Sequence, residues 1–212
     1  MPVATPATPI MAPTPPAHIL CATDYREIYD HVIATNPGYT QPGHSPGCNA
    51  CWMEHARIRA AGGPSLDVGC GVGFVVELLR GPHFGIQAVG VDVSPVGVQT
   101  GNARFGAEWL GTMTPGHIPY PNNHFALVTC FDVLEHIDET DLPALRNEMQ
   151  RVLLPGGLLY CSIATRLASG LDQFGDNLHR TVRKADWWAE LFNADETRWM
   201  RSTHDLFLFW RK

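Results

Sequence analysis

The sequence predicts an α/β protein: a doubly wound, mostly parallel sheet with an antiparallel last strand and a helical extension in front. Three observations carry this. From residue 64 onward, apolar strand-like runs alternate with helix-like stretches, which implies parallel strands joined by helical crossovers and covered on both faces. The first run, Leu66-Asp67-Val68, opens into Gly69, Gly71 and Gly73 and then into Phe74-Val75-Val76, a strand, a tight loop and a helix start. The chain closes on Thr197–Arg201 and Asp205–Arg211, separated only by Ser202, Thr203 and His204. So short a link permits a hairpin but no parallel crossover.

In chain order, residues 1–17 come first, with prolines at 2, 6, 9, 13, 15 and 16. Proline removes donors and forbids helix, so this stretch reads as a disordered, polyproline-like tail. Residues 18–63 read as a helical cap and loop. His18 to His31 place Tyr25, Ile28 and Tyr29, then Val32, at helical spacing. Asn36 to Gly47 is a loop by its Pro, Gly and Asn content, and Trp52 to Ala61 reads as a helix ending at Gly62-Gly63-Pro64. Residues 64–212 form the ligand-binding domain. Strands are expected near 65–69, 87–92, 107–110, 126–131 and 158–164, and helices near 73–80, 95–104, 139–152 and 184–192.

Composition narrows the function. The chain has 212 residues, 45% of them hydrophobic, enough for one globular unit with a real core. Net charge is −6 and no basic run is present, so the electrostatic footprint for duplex nucleic acid is missing and a small neutral or cationic substrate is favoured. No apolar run is long enough to span a bilayer, and the N-terminus lacks the basic and apolar regions of a secretory signal. Of six cysteines, Cys130 and Cys161 fall inside expected core strands. That pattern suits reduced thiols and a cytoplasmic location rather than a disulfide framework. The oligomeric state is left open by the sequence.

A second apolar run, Ala88-Val89-Gly90-Val91, ends in Asp92, 19 positions after Gly73. In a nucleoside-binding doubly wound fold, an acid there accepts hydrogen bonds from the ribose hydroxyls. The loop itself reads Asp-x-Gly-x-Gly-x-Gly, with Asp67 before the first glycine. A carboxylate there is a poor neighbour for a pyrophosphate and a suitable one for an ammonium or sulfonium. Further along stand Phe125-Ala126-Leu127-Val128, Asp132-Val133-Leu134-Glu135-His136-Ile137 and Leu153-Leu154-Pro155-Gly156-Gly157. With these motifs in this order, the sequence resembles the class I S-adenosylmethionine-dependent methyltransferases, of a small-molecule type similar to quinone-pathway enzymes. The resemblance runs from about Pro64 to the C-terminus.

The resemblance implies a Rossmann-like fold and S-adenosylmethionine as cofactor. Asp67, Gly69, Gly71 and Gly73 would lie beside its methionine part, Asp92 at the ribose, Thr112 and Met113 against the adenine, and Phe131 at the end of the fourth strand. Many relatives hold the adenine amine with an acid after the third strand, and Gly111-Thr112-Met113 has none. In such enzymes the extension before the glycine loop covers the cofactor and contributes to substrate choice.

Candidates for chemistry cluster in three places. Asp132, Glu135 and His136 stand at i, i+3 and i+4, which on a helical turn puts them on one face as ligands for a divalent cation. Some quinone-pathway O-methyltransferases use a similar acid-x-x-Glu-His cluster for a metal. The blander reading makes Glu135 a loop anchor and His136 a pocket wall, and between the two stands His136 as general base. His44, Cys48, Cys51 and His55 could close a tetrahedral zinc site. Equally, Gly43–Gly47 reads as a rigid loop over the cofactor, followed by a helix from about Asn49 with Cys51 and His55 buried on one face. His179, in the polar stretch Gly175–Thr181, is the second candidate base. The Asp/Asn-Pro-Pro-Tyr/Phe signature of base-amine methyltransferases is absent where the chain reads Cys130-Phe131-Asp132-Val133. The expected function is methyl transfer to an oxygen, nitrogen or sulfur of a small molecule. Set against it are a non-catalytic nucleoside- or zinc-binding regulatory module on the same fold and a protein or nucleic-acid methyltransferase.

Overall fold

The computed structural model describes residues 24–41, 45–200 and 202–212. The proline-rich stretch 1–17, residues 18–23 and His44 lie outside the described residues. Seven strands form one sheet: β1 (Ser65–Val68), β2 (Ala88–Asp92), β3 (Leu110–Thr112), β4 (Phe125–Phe131), β5 (Leu153–Ala164), β6 (Glu196–Trp199) and β7 (Asp205–Arg211). Their order is β3-β2-β1-β4-β5-β7-β6. The first five pair in parallel, β7 runs antiparallel to β5, and β6 runs antiparallel to β7. The predicted parallel sheet and its terminal hairpin are therefore present.

Alternation along the strands feeds two apolar layers. On one face Val128 and Leu159 pack with Leu145 and Met149 of α6 (Leu142–Val152) and Trp188 of α7 (Ala185–Phe192). On the other, Leu127 and Tyr160 pack with Ile58 of α3 (His55–Ala61) and Val76 and Leu79 of α4 (Phe74–Arg80). Each such side chain contributes about 1.5–3 kcal/mol when fully buried. Strand order runs outward from β1 in both directions, so a crevice opens at the carboxyl ends of β1 and β4, where ligands of this architecture bind.

The N-terminal helices cross that crevice. In α1 (Tyr25–Thr35), Asp24 caps the first turn by accepting from Glu27 N at 3.0 Å, and Tyr25, Ile28 and Val32 are buried, as their spacing predicts. Asp30 accepts from Ser94 Oγ at 2.5 Å and Val96 N at 3.2 Å, at the start of α5 (Pro95–Phe105). At the other end the Tyr25 hydroxyl donates to Asp141 at 2.9 Å and accepts from Asp138 N at 2.8 Å. The extension is thus tied to both rims.

Several boundaries depart from the sequence reading. The helix expected over 52–61 is two helices, α2 (Pro46–Met53) and α3, broken at Glu54. Ser45 caps α2 through Cys48 N, and Pro46 sits in its first turn, so helix begins before Asn49. The third strand lies at 110–112 rather than 107–110: the Asn102 side chain accepts from Trp109 N and Leu110 N, and Gly90 N of β2 donates to the Trp109 carbonyl where the ladder begins. β5 begins at Leu153, where it pairs with Phe125; pairing then shifts across Pro155-Gly156-Gly157, with Gly156 at φ 79°, and resumes at Leu158. Among the described residues, no helix is long and apolar enough to cross a membrane.

Candidate functional site

The crevice holds a cavity of about 450 Å³. Its floor is the loop after β1. Gly69 turns at φ 73°, and a Cβ there would stand 2.3 Å from a methyl of Val133. Gly71 turns at φ 53° and faces open space. Left-handed backbone and close approach make these two glycines necessary. Asp92, at the end of β2, braces the loop: one carboxylate oxygen accepts from Gly71 N at 2.7 Å, the other from Ser94 N at 2.8 Å. Burial raises its pKa, opposed by these N–H groups. Each oxygen retains a second lone pair for a ligand hydroxyl. Asp67 accepts from the Thr129 hydroxyl at 2.7 Å, and burial lifts its carboxyl to about 7.

The opposite wall follows β4. Asp132 sits at φ 52° and accepts from Ser162 Oγ at 3.2 Å, while its second oxygen is buried with no hydrogen-bond partner among the described residues. Burial raises it to about 6. Leu134–His136 form a 3-10 turn. Within it, Glu135 is fully buried and accepts from Ala164 N at 2.9 Å. Burial, then the neighbouring Asp132, pushes its carboxyl well up. His136 Nδ1 meets the Leu178 carbonyl at 2.9 Å, and its ring stands edge-on to Tyr29 and His179, at 5.7 and 4.7 Å. Burial, then His179, brings His136 down to about 4, so its imidazole is neutral at physiological pH.

Tyr25, Tyr29 and Tyr39 complete the cavity from above. Its acidic lining residues are Asp67, Asp92, Asp132 and Asp141, and among the described lining residues none is lysine or arginine.

Residues 66–161 match the protein family described as Methyltransferase domain. The matched stretch contains the glycine loop, Asp92 and the Asp132–His136 turn. The chain carries a class I S-adenosylmethionine-dependent methyltransferase domain. Its similar curated proteins include ubiquinone biosynthesis O-methyltransferases: that of Xanthomonas euvesicatoria is 31% identical over 122 residues, covering 52% of this chain and 46% of the relative. The Dechloromonas aromatica protein is 31% identical over 127 residues, covering 54% and 50%. The chain thus spans about half the length of these curated relatives. Among solved structures, a Pyrococcus horikoshii protein superposes with a TM-score of 0.67 at 15% identity, covering 85% of this chain and 98% of its own. A Haemonchus contortus N-methyltransferase in complex with S-adenosylhomocysteine gives 0.65 at 19%, covering 83% and 46%. These two show the fold.

Within this methyltransferase domain the expected residues divide. Asp67, Gly69, Gly71, Asp92, Met113, Phe131, Asp132 and His136 line the cavity. Gly73 instead caps α4, where a Cβ would meet Leu110 and Phe105 at 2.9 Å, and Thr112 is exposed at the end of β3. The face expected to join Asp132 to Glu135 and His136 does not form. The left-handed backbone at Asp132 sends its carboxylate to Ser162, and the group that comes together is Glu135, His136 and His179.

Zinc at the Cys/His cluster is not supported. His44 lies outside the described residues. Cys51 is wholly buried in the core, and burial raises both it and Cys48, favouring the protonated thiol over the thiolate that zinc needs. His55 stacks on Trp52 and contacts the His83 carbonyl at 3.3 Å. Among the described residues, no metal-compatible group contains these three.

Tyr29, Tyr39 and Asp141 are among the wall residues that sequence reasoning missed. Tyr29 falls on the apolar stripe of α1, whose spacing by itself shows an amphipathic helix and not what that stripe faces. Its helical register was a usable signal: a helix covering a ligand crevice turns the same face toward the ligand.

Proposed function

We propose that the protein transfers the methyl group of S-adenosylmethionine to a nucleophilic oxygen, nitrogen or sulfur of a neutral or cationic small molecule. One observation carries this reading: a glycine-loop cradle with Asp67 and Asp92 opens onto a tyrosine-walled cavity with no lysine or arginine among its described lining residues. In this reading Asp92 accepts from the ribose hydroxyls, Asp67 faces the positively charged methionine part, Gly71 leaves room for it, and Met113 lies against the adenine. Phe131 sits between the cofactor and acceptor halves. An anionic acceptor would meet the carboxylates of Asp132 and Asp141 at the cavity wall. Names of the curated relatives favour an oxygen nucleophile.

The bound cofactor supplies an already electrophilic methyl, so the protein's contribution is alignment, which supplies up to about 7–11 kcal/mol of barrier reduction. His136 borders the acceptor side with a neutral imidazole. It accepts the proton of a nucleophile that enters protonated, with His179 behind it. With His136 at about 4, turnover limited by its ionisation is flat above pH ~5.

The test is product formation. Untagged protein incubated with S-adenosylmethionine and a panel of phenols, catechols, amines and thiols should release S-adenosylhomocysteine together with an acceptor heavier by one methyl. Failure to do so with the panel and with a complete metabolite extract, in protein that binds the cofactor, would leave a binding module and overturn the proposal.

A further inference from the structure

We infer that the hydroxyls of Tyr29 and Tyr39 donate hydrogen bonds to an oxygen of the methyl acceptor, and that this acceptor is a neutral hydroxy compound whose hydroxyl is conjugated to a carbonyl. The two donors follow from the cavity alone; the fate of the acceptor hydroxyl rests on the methyl-transfer reading above. The Tyr25 hydroxyl is taken up by Asp138 and Asp141, and that of Tyr160 by the Ala50 carbonyl. Tyr29 and Tyr39 both line the cavity, and among the described residues neither hydroxyl makes a hydrogen bond. A phenol packed in a protein wall normally finds a partner, and leaving it unpaired is unfavourable. Burial, then Tyr39 and the charges of Glu135 and Asp92, holds Tyr29 well above the ordinary phenol range. Burial, then Glu135, raises Tyr39 too. Both therefore stay protonated and remain donors.

Tyr29 is held in place beside the proposed base. Its ring stands edge-on to His136 at 5.7 Å. The next residue, Asp30, accepts from Ser94 Oγ and Val96 N, and one turn earlier Tyr25 is bonded to Asp138 and Asp141. Anchors on either side of Tyr29 fix α1, so the hydroxyl is set before the acceptor arrives. Tyr39 comes from a separate segment, the 3-10 turn Pro37–Thr40.

The acceptor class follows from what these donors must offset. His136 lies at about 4, whereas an ordinary phenol lies at about 10, so a proton passes between them uphill by roughly a millionfold. A general base works best when the two values are close. Conjugation of the acceptor hydroxyl to a carbonyl narrows the gap by spreading the developing negative charge onto a second oxygen. Among the described lining residues no lysine or arginine is present to hold that charge, and the carboxylates repel it. Two phenol donors on the carbonyl oxygen supply stabilisation where the charge develops. His136 Nδ1 is engaged by the Leu178 carbonyl, which leaves Nε2 to take the hydroxyl proton. The acceptor oxygen bonds to the methyl carbon as that carbon's bond to sulfur breaks, its electron pair staying on sulfur. The imidazolium then returns its proton to water.

The probe is para-hydroxyacetophenone, a neutral phenol conjugated to a ketone, whose near-ultraviolet absorption reports its ionisation. The full chain, saturated with S-adenosylhomocysteine, is titrated with it at a series of pH values, and so are Tyr29→Phe, Tyr39→Phe and the double variant. Each single substitution should raise the ionisation midpoint of the bound probe by about one pH unit, a tenfold change, because a hydrogen bond strengthens when its acceptor gains charge. Affinity for the neutral probe should fall about 2- to 12-fold, while affinity for para-ethylphenol, of similar shape but without the carbonyl, should stay within about twofold. Melting temperature and S-adenosylhomocysteine affinity check that each variant keeps its fold and its cofactor site. Equal midpoints in the parent and both single variants, or equal losses for the two probes, overturn the donor role. No saturable binding of para-hydroxyacetophenone overturns the acceptor class. The expected midpoint shifts without methyl transfer to any acceptor would support the two donors and overturn the methyl-transfer reading alone.

Discussion

Asp67→Asn should make the ligand-free protein more stable at pH 8 and at the same time weaken its hold on S-adenosylmethionine. Asp67 is 4% exposed, and its carboxyl rises from 3.8 to about 7 through burial. A carboxyl with a higher pKa folded than unfolded binds its proton more tightly in the folded chain. That contribution to stability is full below pH ~4 and is lost as pH climbs toward 7. At 1.36 kcal/mol per pH unit, the rise corresponds to roughly 4 kcal/mol by which ionised Asp67 burdens the empty fold at pH 8, an upper bound. Asparagine keeps an acceptor for the Thr129 hydroxyl and removes the charge. The same charge should hold the cofactor's cationic end. A charged hydrogen bond contributes about 1.5–3 kcal/mol, so the variant should bind ~10- to 150-fold more weakly at pH 8. In the parent chain Asp67 ionises over the interval from pH 5 to 8, and affinity should rise by up to ~100-fold across it. Calorimetry at several pH values, run beside Asp67→Asn, separates this from titration of the cofactor itself. Thermal unfolding of the ligand-free proteins measures the stability arm. Equal affinity of the two proteins at pH 8, with the same pH dependence, would refute the assignment of Asp67 to the cationic end of the cofactor.

Asp92→Ala should reduce S-adenosylmethionine affinity at least ~100-fold, because two charged acceptors of about 1.5–3 kcal/mol each are lost along with the brace on Gly71; unchanged calorimetric affinity removes Asp92 from the site. Gly69→Ala forces an L side chain into φ 73° with its Cβ 2.3 Å from Val133, and should destabilise the fold by roughly 2–4 kcal/mol in urea melts; a midpoint equal to the parent's would contradict the loop geometry. His136→Ala should lower turnover roughly 100-fold or more while cofactor affinity holds, as expected for loss of a general base. Lost melting temperature with turnover per folded molecule preserved would instead make His136 structural. Full activity in a normally stable variant would move the base to His179 or dispense with one.

Local chemistry made much of this protein legible from sequence. The three glycines after Leu66-Asp67-Val68, and Asp92 after the next apolar run, marked the loop that floors the cavity, because left-handed turns and a strand-end acid depend on residue type and short spacing alone. The alternation of apolar runs gave a parallel sheet, and the three-residue link before Asp205 gave the final hairpin. Three things needed the tertiary structure. Whether Asp132 shares a face with Glu135 and His136 depends on one backbone angle, and the left-handed conformation at Asp132 breaks the helical spacing on which the sequence argument relied. Whether the Cys and His residues of 44–55 converge depends on where α2 and α3 pack, and Cys51 turns into the core while His55 turns to Trp52. The meeting of His179 with His136 lies furthest from sequence inference. Forty-three positions separate them, and only the side-by-side packing of β4 and β5, with the loop between β5 and α7 folded back onto the turn after β4, sets their rings 4.7 Å apart.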